Sequence, residues 1–285
     1  MLRRLICGIM VSLFLGAAGG AIALGSVRLE YKFTPGEVMR YKVHQTTSSA
    51  FGAALGSGSD VIDGILRFRV LKTLPNGDAE IRAAYEKGTL QAMGENKNIS
   101  ADFVQPLTFQ ISKNGIIRNA DKLFETTGNI KVEHAEKSEL GTSTSSTSVN
   151  VYQFVDMIFD EYPDRELKIG DSWMVSPPPA EEVQADNFRN KLTSIDTVVN
   201  GMPVAVIVTA GDQTENSVMH DKNGGPDQTV PMRTVLNSKT LFSVEKGCMI
   251  SIDFKFRSAF VNGGKEGDLV NESVQASLLP AANAK

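Results

Sequence analysis

Three histidines, His44, His134 and His220, are the side chains best able to move protons or bind a metal near neutral pH, and none stands in a spacing that such chemistry uses. His-x-Glu-x-x-His, Gly-x-Ser-x-Gly and Cys-x-x-Cys are absent from the sequence. Glu133, His134, Glu136 and Glu139 gather ligand types, but they lie in a charged stretch beside a Ser/Thr run and read as solvated surface. The string Asp221-Lys222-Asn223-Gly224-Gly225-Pro226-Asp227 opens like a calcium loop. It fails at Gly225 and at Met232, where the ion needs oxygen ligands, the second a bidentate Glu. Ser243-Val244-Glu245-Lys246 matches the Ser-x-x-Lys string of penicillin-recognising enzymes, whose amine activates the hydroxyl from one helical face; here Lys246-Gly247 reads as a turn. The glycines from Gly52 to Gly58 lack the helix and the Lys-Ser/Thr of a phosphate cradle. The chain is therefore read as non-catalytic, with no metal and no cofactor. A hydrolase would need a cleft joining Asp171, His44 or His220 to a nucleophile.

The elements that must carry any site are strands. From Cys248 to Val261 the even positions are Cys248, Ile250, Ile252, Phe254, Phe256, Ser258 and Phe260, while Ser251, Asp253, Lys255 and Arg257 fall between them. Period-2 alternation of this kind sets one face on a core and the other in water. Leu66-Phe68-Val70, Ala79-Ile81-Ala83-Tyr85, Leu107-Phe109-Ile111 and Val274-Ala276-Leu278 alternate likewise, and Asn76-Gly77, Asn114-Gly115, Asn200-Gly201 and Lys246-Gly247 supply turns between such runs. One segment differs: Val151, Phe154, Val155, Ile158 and Phe159 form a helical stripe, preceded by Asn150 as a cap and stopped by Pro163, which predicts an amphipathic helix over about 150–161. The expected fold is mainly β (α+β), an antiparallel curved sheet or open barrel with that helix packed on it.

The two halves of the chain match in outline. Gly36-Glu37 and Gly170-Asp171 open them, Asn76-Gly77 and Asn200-Gly201 lie mid-way, and Asn114-Gly115 and Lys246-Gly247 close them. The organisation expected is a leader over 1–23, a first β half over 24–137, a Ser/Thr-rich connection over 138–149, and the helix with a second β half over 150–285. The alternative is one composite domain over 24–285.

Candidate ligand-binding residues follow from the aromatic-rich inward face: Ile252, Phe254, Phe256, Phe260 and Leu278, together with Trp173, the sole tryptophan. Each has a plainer reading as core, and the rival to a ligand-binding protein is an interaction module of the cell envelope with no cavity. Cys248, on the apolar side of its strand, reads as a small buried hydrophobe.

Residues 1–23 have the layout of a secretory signal peptide: Arg3 and Arg4, an apolar run from Leu5, then small residues ending Ala21-Ile22-Ala23. Cleavage after Ala23 predicts a periplasmic or secreted protein without a stable membrane span; the alternative is anchoring by an uncleaved segment. It removes Arg3, Arg4 and Cys7, taking the formal charge two units below −4 and leaving Cys248 without an intramolecular partner. An acidic chain without clustered Lys and Arg is a poor nucleic-acid binder. The partners expected are a lipid or other apolar small molecule, or an envelope protein.

Tyr31-Lys32-Phe33-Thr34-Pro35-Gly36-Glu37-Val38-Met39-Arg40-Tyr41 and, later, Leu167-Lys168-Ile169-Gly170-Asp171-Ser172-Trp173 resemble strings found in exported bacterial β-rich domains of unknown function. The resemblance implies an exported β protein and carries no catalytic residue. In architecture alone, an open antiparallel sheet crossed by a helix is similar to the bacterial lipoprotein-carrier fold, whose apolar inner face holds acyl chains.

Overall fold

The computed structural model describes residues 25–49, 58–92, 95–101, 104–118, 130–138, 141–149, 151–174, 188–219, 228–262 and 265–280. Residues 1–23, the Gly52 to Ser57 stretch, Asn150, Glu139, His220 and the Asp221 to Asp227 string lie outside these residues.

The strands are β1 (Val38–Ser49), β2 (Gly58–Thr73), β3 (Ala79–Ala92), β4 (Glu95–Ile99), β5 (Leu107–Ile111), β6 (Ile117–Arg118), β7 (Ile130–Ser138), β8 (Gly141–Val149), β9 (Ser172–Met174), β10 (Arg189–Val199), β11 (Met202–Met219), β12 (Gln228–Ser243), β13 (Cys248–Asn262) and β14 (Lys265–Leu278). The helix α1 is Tyr152–Ile158. Twelve strands form one open antiparallel sheet in the order β6-β5-β3-β2-β1-β14-β13-β12-β11-β10-β9, with β4 also on β3, and β7-β8 is a separate hairpin. The fold is thus mainly antiparallel β with a single described helix, an open sheet rather than a closed barrel. Two meanders, β1 to β6 and β9 to β14, meet edge to edge where β1 pairs β14.

Both meanders are cornered in the same way. Gly36, at φ 84°, donates its N–H to Val70 O, and Val70 N–H returns to Glu37 O; Gly170, at φ 96°, donates to Leu192 O, and Leu192 N–H returns to Asp171 O. In each corner the acidic side chain folds back onto an amide three residues earlier, Glu37 onto Thr34 N–H at 3.2 Å and Asp171 onto Lys168 N–H at 3.1 Å. A left-handed backbone followed by a side-chain acceptor that can reach back to the amide suits such a turn. Among the described residues the glycines with positive φ, Gly36, Gly77, Gly115, Gly170, Gly201 and Gly247, are those of the three matched turn pairs.

The closing turns hold crossing segments. Tyr162 N–H bonds to Asn114 O at 2.8 Å beside Gly115, and Lys32 N–H bonds to Gly247 O at 3.0 Å. The crossings bring Tyr31, Phe33, Phe159, Tyr162 and Phe242 into one aromatic cluster, with Tyr31 stacked on Tyr162 at 5.6 Å and edge-on to Phe242 at 5.3 Å. The helix supplies the rest of the lid on this core, burying Tyr152, Phe154, Val155 and Ile158.

Two expectations need correction. The helix is seven residues long rather than spanning 150–161, and its N-cap is Val151 with no side-chain bond. It stops early because Phe159 leaves helical geometry to pack its ring against Phe68 and Phe109. The Ser/Thr-rich stretch over 138–149 is not an open connection: Gly141–Val149 is β8, paired with β7 from Ser138↔Gly141 to Ile130↔Val149. Threonine's branched Cβ suits extended backbone, so its polarity misleads.

Cys248 is buried and free, and burial pushes its thiol up to about 11. In a Cys7→Ser chain at pH 8, a thiol reagent such as DTNB is expected to leave Cys248 unlabelled until denaturant unfolds the sheet. Stoichiometric labelling of native protein would contradict this burial.

Candidate functional site

Antiparallel partners point the same way, so the inward side chains of the central strands fall into rows across the sheet. The row Val43, Ala276, Ile252, Thr240, Ile207 and Leu192 is buried throughout and belongs to the core end. The next row, Gln45, Val274, Phe254, Ser238, Thr209, Asn190 and Trp173, is polar at Gln45 and from Ser238 to Asn190, and apolar at Val274, Phe254 and Trp173. Beyond it come Glu272, Phe256, Leu236 and Gly211, then Val270, Ser258, Thr234 and Gln213, then Phe260, Met232 and Glu215.

The polar row is wired from each side. Asn190 Nδ2 donates to Asp160 Oδ2 at 3.4 Å and Asn190 Oδ1 accepts from the Thr209 hydroxyl at 2.6 Å; Thr209 in turn accepts from Ser238 at 2.8 Å. On the other side Gln153 Nε2 of α1 donates to Gln45 Oε1 at 2.8 Å, and Gln45 Nε2 donates to Glu272 Oε1 at 2.7 Å. This row satisfies buried polar groups where the core ends.

Carboxylates gather where α1 gives way to the loop. Burial, then the charge of Asp156, raise the Asp160 carboxyl to about 7 against the hydrogen bonds from Glu161 N–H and Asn190. Burial and the charge of Glu161 raise Asp156 to about 6. Asp156 itself is exposed, so water screens its share, and the proton of this pair belongs chiefly to the less exposed Asp160.

The six sequence-derived ligand residues are placed unequally. Ile252 is in the core; Phe254, Trp173 and Leu278 are partly buried against it. Phe256 and Phe260 lie on the same face beyond the core, half-buried. Leu278 pairs Tyr41 at the opposite end of the strand and does not join them. Trp173 is on β9, its indole N–H bonded to Glu161 O at 3.2 Å and its ring edge-on to Tyr162 at 6.3 Å. It closes the sheet's edge. Its neighbour Asp171 is held below the usual carboxylate range by the Arg165 guanidinium at 2.7 Å and braces its turn.

No family model matches the chain, and no curated protein does. Among solved structures it is similar to DynF from the dynemicin biosynthesis pathway of Micromonospora chersina, at 7% identity over 97% of this chain and 92% of that one, with a TM-score of 0.23. A likeness that faint carries no argument.

Gln213, Thr234, Ser258, Leu236 and Met232 were not among the sequence candidates. The signal was the inward series Thr209, Gly211, Gln213 and Glu215 of β11, in which polar residues take positions that alternation reserves for the interior. Gly211 has its own reason: any side chain there would collide with the Phe188 ring, which occupies that position on the inner face.

On the outer face, Lys42, His44, Asp63, Lys239, Asp253 and Ser277 help line an open groove of about 490 Å³. His44 Nδ1 and Asp63 Oδ1 are 2.8 Å apart. The residue opposite His44 on β14 is Gln275, and Ser277 stands opposite Lys42, so the ladder does not set a serine against the imidazole. Among the described residues no three metal-ligating side chains converge.

Proposed function

We propose that the protein is an exported, non-catalytic binding protein of the cell envelope that holds an apolar or amphipathic small molecule on the inner face of its sheet, beyond the core. The observation that carries this reading is the run of half-buried Phe254, Phe256, Phe260, Leu236 and Met232 on the face that, among the described residues, α1 and the aromatic cluster fill at one end. Fully burying side chains of this size stabilises by about 1.5–3 kcal/mol each, so a molecule covering them has a ready driving force. The signal-peptide layout of residues 1–23 supports export.

Native mass spectrometry of residues 24–285, purified from an exported preparation without detergent, tests the reading. A reproducible added mass of lipid size, removed by organic extraction, is the expected result. A bare mass that stays unchanged after incubation with an envelope lipid extract would overturn it.

A further inference from the structure

Three inward positions on each of β11, β12 and β13 make a grid: Gly211, Gln213 and Glu215; Leu236, Thr234 and Met232; Phe256, Ser258 and Phe260. Same-face neighbours along a strand lie about 7 Å apart, so the rows to either side of Gln213-Thr234-Ser258 stand as ridges flanking it. Leu236 and Phe256 form one ridge and Met232 and Phe260 the other, all half-buried. On β12 and β13 the middle side chains, Thr234 and Ser258, are shorter than those beside them, and the polar row Gln213, Thr234 and Ser258 is 7%, 6% and 6% exposed. It is the floor of a furrow.

That floor holds an unanswered acceptor. Gln213 Nε2 donates to Glu215 Oε2 at 3.0 Å, whereas Gln213 Oε1 is closed to solvent and has no hydrogen-bond partner. An unpaired buried carbonyl is destabilising, and its place at the floor of an apolar-walled furrow calls for a donor brought by a ligand. The charged groups beside the floor select the donor's type. Glu215 ends one ridge row with its Oε2 on the Gln213 amide, so a carboxylate stands at the furrow and an anionic head would be repelled. The Thr234 and Ser258 hydroxyls both give and accept, which suits a second hydroxyl on the same head.

We propose that the Gln213-Thr234-Ser258 furrow holds the hydroxyl-bearing head of a neutral amphiphile of the monoacylglycerol type, its chain lying along Phe256, Leu236 and Phe254. This assignment rests on the binding reading above and names its ligand class. Displacement of the apolar dye N-phenyl-1-naphthylamine from delipidated protein at pH 8 tests it, with 1-monooleoylglycerol and oleate as competitors that share one chain. Monooleoylglycerol is expected to compete about tenfold more tightly than oleate, and Gln213→Leu to weaken monooleoylglycerol about tenfold while the dye's own affinity is unchanged. If Gln213→Leu fails to fold, Thr234→Val carries the same expected selective loss. Oleate competing as well as monooleoylglycerol, or unchanged monooleoylglycerol affinity in a folded Gln213→Leu protein, overturns the head-group assignment and leaves the binding reading standing. Failure of dye and both lipids to bind overturns both.

Discussion

Gly115→Ala is expected to destabilise the protein by about 4 kcal/mol, two to three times the cost of the same change at Gly36 or Gly170. All three glycines have positive φ, at 93°, 84° and 96°, so each alanine bears a similar backbone penalty of about 1–2 kcal/mol. The difference is what a methyl group would meet. At Gly36 and Gly170 nothing lies within 4 Å, whereas at Gly115 it would run into the backbone oxygen of Asp160 and come within 3.1 Å of the Tyr31 ring. Relief would move the 160–162 segment away and break the Tyr162–Asn114 bonds that seat the aromatic cluster. Urea unfolding of the three variants measures this directly. Equal midpoints for Gly115→Ala and Gly36→Ala would mean that the crossing segment does not press on the turn.

Stability is expected to fall as pH rises from about 5 to 7.5, by about 1 kcal/mol, and Asp160→Asn is expected to abolish most of that slope. The sign follows from proton occupancy. Asp160 titrates near 3.8 when unfolded and at about 7 when folded. Between those values the folded chain holds a proton that the unfolded chain has released, so its contribution is fully present below the unfolded value and is lost as pH climbs through the folded one. A shift of this size fully expressed would be worth about 4 kcal/mol; partial exposure of the site halves it. Asp156, Glu161 and Tyr162 face the same carboxyl, and their charges act in the same direction or not at all. Glu30, Asp78, Asp171, Asp212 and Glu266 are all shifted down, so their losses on acidification come below the window and do not mask it. Urea midpoints at pH 5, 6 and 7.5 decide the matter, and a flat or rising wild-type profile would contradict the assignment.

Much of the fold was legible in local signals. The alternation from Cys248 to Phe260 places Cys248, Ile250 and Ile252 in the core, and every Gly-containing turn named from sequence has its glycine in the left-handed region. These features are legible because they depend on one residue's sterics or on a period of two. The β1–β14 pairing was not, since no local pattern names a partner so distant in the chain. Nor was the furrow: reading polar as outward hides Gln213 and Thr234, whose inward placement follows from register, and register is fixed by turns and bulges far from them. Ser258 was visible as the one polar residue in the even series of its strand, and the structure gives it neighbours of the same kind on β12 and β11.

The β1–β14 seam also has a consequence in time. Gln45 and Glu272, hydrogen-bonded across it, are 227 residues apart in the chain, while each meander closes through neighbours in sequence. Loop closure over such a distance is the slow step of β folding, so each meander should assemble early and wait with an unpaired edge for the seam to form. During synthesis β1 emerges long before β14, and for that interval its bare ladder is the part of the molecule most open to aggregation or to capture by a chaperone.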